Sequence, residues 1–365
     1  RDLHLSLRRQ RQMCIRDSPT ATGFEITTNN SSFNASGDTY IYWTIRRPDG
    51  YVGKLPSAGT GVFTMDTGNS DGSPVLPVFD SGFPVDFALR RRTNAVDDWD
   101  ANGRLISGKR LKINTTDAQS GSAHALFDSN VGWSNGDFNT DYQSWMWKRG
   151  QGMDVVTYTG NGDNTDGANS HAHSLGQIPE MIWIHPLSGG AYSGVTHWTS
   201  SHKGLNGGTN PWQYTVSNNN NWAETATSNF GNTAPTSTHF YVGDPGNARS
   251  NVNNGVYMAM LFASVNNADG DPISKVGSYV GNGSATERTI TTGFQPRFLL
   301  VKNASGTNNW VVFDTVRGWG SGNDYHFSLN SNAAQTESQD IGAPTSTGFT
   351  LTTTLGNYNA NGSCL

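Results

Sequence analysis

The chain has 365 residues, a formal net charge of −5, 34% hydrophobic residues and only 15% charged ones. That balance excludes charge-driven disorder, and the acidic excess is a poor match for a phosphate backbone, so no nucleic-acid partner is expected. No apolar run approaches the 18 or more residues of a membrane-spanning helix.

Residues 1–18, RDLHLSLRRQRQMCIRDS, concentrate five Arg against two Asp; taking that +3 from the total of −5 leaves −8 on the rest. The segment has no apolar core of the signal-peptide kind. It resembles translated sequencing-adapter read-through and is set aside as an artefact or disordered arm. Cys14 lies within it and Cys364 lies near the other end, so the interior offers no disulfide framework, Cys-based zinc site or Cys nucleophile.

From residue 19 onward the chain repeats itself. Pro19–Gly37 aligns without a gap on Pro344–Gly362, matching Thr22-Gly-Phe with Thr347-Gly-Phe and Phe33-Asn-Ala with Tyr358-Asn-Ala. Three segments then share a Pro, an apolar run and a polar end six residues on: Pro84 to Arg90, Pro179 to His185 and Pro296 to Lys302. A Trp follows each, at Trp99, Trp198 and Trp310. An alternating strand comes next, ending at Asn114, Ser217 and Asn330. Tyr158-Thr-Gly-Asn-Gly162 recurs as Tyr279-Val-Gly-Asn-Gly283. Aromatic strands close the units: Tyr40–Arg47 (YIYWTIRR), Tyr142–Arg149 (YQSWMWKR) and Val256–Phe262 (VYMAMLF). The organisation is a unit tail (19–50), two whole units (51–150 and 151–270), and a unit lacking its closing strand (271–365).

Short apolar runs between Gly, Asn, Ser and Thr clusters predict an all-β chain of tandem β-sandwich-like units with little or no helix. MIWI (181–184) and FLLV (298–301) do not alternate, which predicts central strands covered on both faces. Asn-Gly after an aromatic strand predicts a hairpin turn. The aromatics on both faces of the closing strands read as core.

His171-Ala-His173 is the candidate metal pair, since positions i and i+2 of a strand share a face; exposed strand histidines are the plainer reading. The loops at 160–167 and 266–272 do not fit a calcium loop and read as turns. Asp97-Asp-Trp-Asp100 gathers three carboxylates of the type a glycoside hydrolase needs, yet Trp198 and Trp310 lack such neighbours, so a solvated acidic turn is expected. No catalytic residue and no cofactor are assigned. Trp198, Trp212 and Trp222 are the candidate ligand-binding residues, as aromatic faces for sugars.

The ordered marks (aromatic strand, Gly-Asn-Gly, Gly-x-x-Pro, apolar run, Trp strand, Leu-x-Leu-Asn-like strand, Gly-Phe strand, Tyr-Met-Ala-Met strand) resemble a repeated domain of uncharacterised function. That domain recurs in structural proteins of tailed bacteriophages, especially from aquatic metagenomes. The resemblance covers residues 19–365, with the unit at 51–150 departing most because it lacks Gly-Asn-Gly. It implies a non-enzymatic virion protein of tail-fibre type, extracellular, with other virion proteins as partners, possible trimerisation and a cell-surface glycan as ligand. The alternatives are a polysaccharide depolymerase, a capsid decoration protein or a secreted bacterial adhesin.

Overall fold

A computed structural model describes residues 57–363 except for 70–75, 107, 122–124, 135, 137–139, 190–196, 245, 247–248 and 321, together with 17–19, 24–26 and 35–37. The chain is all-β, built of antiparallel sheets with short 3-10 turns and one four-residue helix, Gly356–Asn359, among the described residues. Asp17–Pro19 pairs with Phe24–Ile26 as a small antiparallel hairpin. The rest of 1–18, and most of the 19–50 tail with Tyr40–Arg47, lie outside the described residues.

The first two units share one strand order. In unit one an opening strand, Phe63–Thr67, is followed across the sheet by the closing strand Tyr142–Trp147, the proline strand Phe87–Arg92, the tryptophan strand Asp100–Gly103 and the asparagine strand Lys109–Lys112. Unit two repeats it with Met153–Thr159, Gly255–Phe262, Met181–Gly189 and Thr199–His202, and a bridge from Ser200 to Val216 continues the order. Unit three runs Phe298–Lys302, Trp310–Asp314, Asp324–Ser328 and Thr336–Gln339.

Each main sheet is buried on both faces, as strands without apolar alternation require. One face is covered by a small second sheet: Phe79–Asp80 with Gly132–Trp133 in unit one, Ser170–Ala172 with His239–Tyr241 in unit two, and Arg288–Thr291 with Gly348–Leu351 in unit three. These sandwiches enclose separate apolar clusters around Phe79 and Trp133, around Phe240 and Tyr257, and around Phe313 and Phe349. The other faces of all three sheets meet in one cluster. Phe87, Leu89, Trp99 and Trp145 of unit one pack there with Met153, Trp183, Trp198 and Met260 of unit two, and with Trp310, Val312 and Phe327 of unit three. The units are therefore three sandwiches around a shared centre, not beads on a string.

The closing strands are core, as their two-faced aromatics predict. Trp145 faces the centre and Met146 the unit-one sandwich. In unit two Ile182 and Ile184 face their own sandwich while Trp183 faces the centre. The matching run in unit three departs: Phe298, Leu299 and Leu300 are only partly buried, and among the described residues no strand pairs on their outer side.

The Gly-Asn-Gly motif is a clasp rather than a hairpin turn. In unit two, Gly160 N–H donates to the Gly255 carbonyl, and Gly162 N–H to the Asn251 carbonyl. Asn251 Oδ1 accepts from Asn161 N–H, and its amide returns a bond to Asn161 Oδ1. In unit three Gly281 N–H bonds the Ser363 carbonyl, Gly283 N–H the Asn359 carbonyl, and Asn359 mirrors Asn251. A Cβ on Gly160 would lie 2.4 Å from the Val252 oxygen, and one on Gly281 would lie 2.0 Å from the Ala360 oxygen, so backbone approach dictates glycine at both.

Candidate functional site

The recurring Trp residues build the contacts between units. Within its own unit, each Trp backbone N–H is held by an Asn side chain: Trp99 by Asn114 at 2.8 Å, Trp198 by Asn219 at 3.2 Å and Trp310 by Asn330 at 2.9 Å. Each indole N–H then crosses to another unit. Trp99 donates to the Ser328 carbonyl at 3.1 Å, Trp198 to the Lys112 carbonyl at 2.9 Å and Trp310 to the Ser217 carbonyl at 2.8 Å. Unit one thus bonds unit three, unit three bonds unit two, and unit two bonds unit one. The acceptor always lies two residues before the Asn. That register makes Asn219, not Ser217, the counterpart of Asn114 and Asn330.

Beside each Trp sits a buried basic or aromatic-stacked side chain. Lys302 pairs directly with Trp310, and His185 and Arg91 fall opposite Trp198 and Trp99 by the same ladders. The counterpart of His185 and Lys302 is therefore Arg91 rather than Arg90. Gly, not Pro, is the fixed mark: Gly82, Gly176 and Gly293 all have left-handed φ and stand five residues before the first proline-strand residue, whereas Pro84 is displaced by one. Arg91 donates to the Asn332 and Ala333 carbonyls of unit three, each at 2.6 Å. Lys302 Nζ donates to the carbonyls of Asn221 (3.2 Å), Asn303 (2.8 Å), Gly306 (3.2 Å) and Asn308 (2.8 Å), and burial pulls it down to about 8. His185 stacks on Trp198 at 4.5 Å, and burial pushes its imidazole down to about 3.

Trp198 is accordingly fully buried and Trp212 is packed against Phe230 in the unit-two sandwich, so neither presents a face to a ligand. Trp222 does: it is 45% exposed. It lies in the loop after the unit-two asparagine strand, and its ring rests against His197 at 5.1 Å. Asn219 and Asn220 donate their amides to His197 Nδ1 at 3.0 and 2.9 Å. Arg249 approaches the same imidazole and, after burial, is the second cause that lowers its basicity. The loop is pinned from unit three by Lys302 on the Asn221 carbonyl and Trp310 on the Ser217 carbonyl, and by Glu224 N–H on the Ala304 carbonyl at 2.7 Å. The result is an exposed aromatic face beside the His197 imidazole, which holds the Asn219 and Asn220 amides, on a loop seated where two units meet. Trp222 was legible as an aromatic; its neighbours His197, Asn220 and Arg249 carried no local sequence signal.

The metal pair fails on its own geometry. His173 Nε2 bonds the Thr236 carbonyl and its Nδ1 accepts Leu175 N–H, so both nitrogens are engaged. His171 stacks on Tyr158 at 4.2 Å, and burial lowers it to about 4. Among the described residues no group of three or more His, Cys, Asp or Glu could hold a metal ion. The carboxylates near Trp99 are not a solvated turn: Asp100 is buried against Arg90 at 2.7 Å, and Asp98 is paired with Lys112 at 2.8 Å. In the calcium-like loops, Asp163 caps Thr165 N–H and Asn267 caps Asp269 and Asp271, as turn residues do.

The family described as Domain of unknown function (DUF7483) matches residues 107–365, from just before the unit-one asparagine strand through units two and three. The chain belongs to this family. Its match takes in all three asparagine strands and two of the three recurring Trp residues. No curated protein and no solved structure matches the chain.

Proposed function

We propose that this member of the DUF7483 family is a non-enzymatic structural and receptor-binding protein of a tailed-phage virion, of tail-fibre type, and that it recognises a cell-surface glycan through the Trp222 loop. The observation that carries the reading is the division of labour among the aromatics. The repeated ones are consumed in fastening units together, whereas Trp222, with no counterpart in the matching loops after Asn114 and Asn330, is held facing solvent. An exposed indole face suits a pyranose, which offers an apolar ring face edged with hydroxyls. A loop whose carbonyls are held by Trp310 and Lys302 and whose far end is bonded through Glu224 N–H adds little ordering cost on binding.

The test is a glycan array and host-cell binding assay with the wild type and Trp222→Ala. Because Trp222 is exposed, folding is expected to be unchanged, and binding is expected to fall by more than about tenfold. Binding unaffected by the substitution would move recognition elsewhere; no binding by the wild type to any glycan or host cell would leave a purely architectural role.

A further inference from the structure

The asparagine that holds each recurring Trp also bonds the side chain just before that Trp. In unit one the Asn114 amide donates to Asp98 Oδ1 at 2.8 Å, and in unit three the Asn330 amide donates to Asn309 Oδ1 at 2.9 Å. In unit two the same place is His197, and the Asn219 amide donates to its Nδ1 at 3.0 Å. The amide cannot turn round, because Asn219 Oδ1 is taken by the Trp198 N–H, as the Asn114 and Asn330 oxygens are taken by Trp99 and Trp310. The position therefore calls for an acceptor. An aspartate oxygen, an asparagine oxygen and an unprotonated imidazole nitrogen each supply one.

Imidazole differs from the other two in carrying a second polar atom on the far side of its ring. Nδ1 is committed as an acceptor to Asn219 and again to Asn220, at 2.9 Å, so the proton of the neutral ring sits on Nε2. Protonating Nδ1 would set an N–H against two amide donors, and burial followed by the Arg249 charge lowers the basicity in the same direction. His197 is half-buried, and its hydrogen bonds to the described residues end on Nδ1. Its ring lies 5.1 Å from that of the exposed Trp222. Units one and three have neither the imidazole nor a Trp in the matching loop. We infer that His197 is the specificity-determining donor of the Trp222 site: its Nε2–H, oriented by the recurring Asn clamp, bonds an oxygen acceptor at the edge of the pyranose face that lies on the indole. This inference rests on the reading of Trp222 as a sugar platform. A stacking face takes most pyranoses, whereas one fixed donor beside it selects those with an oxygen at that edge and discriminates against the deoxy sugar.

Two measurements on the full chain test it. The probes are the terminal sugar of the glycan bound best on the array, as its methyl glycoside, and the monodeoxy analogues of that glycoside. In the first, long-range proton–nitrogen correlation spectra of the wild type at pH 7 should show His197 as the Nε2–H tautomer, and adding the glycoside should shift the Nε2 resonance. An Nδ1–H tautomer, or no shift on saturation, overturns the inference. The second uses His197→Asn, which puts the unit-three residue into the clamp, keeps an acceptor for Asn219 and removes the Nε2–H. Its melting temperature should match the wild type, so a role confined to the clamp would leave binding unchanged. The wild type should bind one deoxy analogue about tenfold more weakly than the parent glycoside, and His197→Asn should bind that analogue and the parent equally. If His197→Asn melts lower, the wild-type spectra still decide. Binding kept by His197→Asn but lost by Trp222→Ala overturns this inference and leaves the indole platform standing; no binding by the wild type to any glycan overturns both.

Discussion

At the scale of the residue, one indole does two jobs. Trp198 fills part of the shared centre and satisfies a carbonyl in a neighbouring unit. The two contributions separate by substitution. Trp198→Ala removes a buried aromatic and should cost about 3–5 kcal/mol. Trp198→Phe keeps most of the packing but strands the Lys112 carbonyl, and should cost about 1–3 kcal/mol. Chemical denaturation of both variants checks the ordering, and no loss in Trp198→Phe would show that the bond contributes nothing. His185 makes a different prediction. Its folded-state value near 3 lies below the ordinary 6.5, so between those limits the unfolded chain binds the extra proton. Stability should be full above pH 6.5 and fall on acidification by about 1.4 kcal/mol per pH unit for this group. The gap between denaturation curves at pH 7 and pH 5 should narrow in His185→Gln without closing, because His171 and His202, both lowered to about 4 by burial, contribute in the same window.

At the scale of the element, the glycine clasp is the sharpest case. Gly281→Ala should destabilise the protein, because its Cβ would meet the Ala360 oxygen at 2.0 Å, whereas Gly61→Ala, with nothing within 4 Å and no left-handed φ, should be close to neutral. Thermal melts of the pair test this, and a neutral Gly281→Ala would show that the clasp can open without loss. The same elements show what the sequence could reveal. Two-faced strands, repeat order and the core role of the closing strands follow from side-chain pattern, which local burial dictates. Partners far apart in sequence do not follow from it. Gly160-Asn-Gly162 looked like a turn because Asn-Gly favours one locally, but Asn251 supplies its partner from ninety residues away. The Pro misled in unit one because it tolerates a one-residue shift at a strand start, whereas a left-handed Gly does not. Of the three Trp candidates for binding, only exposure separates Trp222 from Trp198 and Trp212, and burial comes from the shared centre for Trp198 and from the unit-two sandwich for Trp212.

At the scale of the whole molecule, the shared centre predicts cooperativity. Residues of all three units line one cluster, so an unfolding unit exposes the inner faces of the other two. Calorimetry should show one transition rather than three, with Trp99→Ala lowering the melting of the entire chain; separate peaks would mean that the sandwiches stand alone. The Trp222 loop belongs to this scale as well, since its anchors come from unit three. Lys302→Met should weaken glycan binding while leaving the Trp222 face itself unaltered, a link that a binding curve on the folded variant can read.

The cycle of indole bonds has a consequence for how such a molecule can change over time. Each unit carries one outgoing donor and one incoming acceptor, the arrangement by which three identical chains would join into a closed trimer. Here the three are fused into one chain, and fusion breaks the rule that a substitution must appear three times at once. Position 91 can be Arg, 185 His and 302 Lys, each suited to its own neighbour. One loop of the three can grow a solvent-facing Trp while its siblings stay plain. The fold thus keeps the closed geometry of a symmetric assembly and gains the freedom to specialise one side of it.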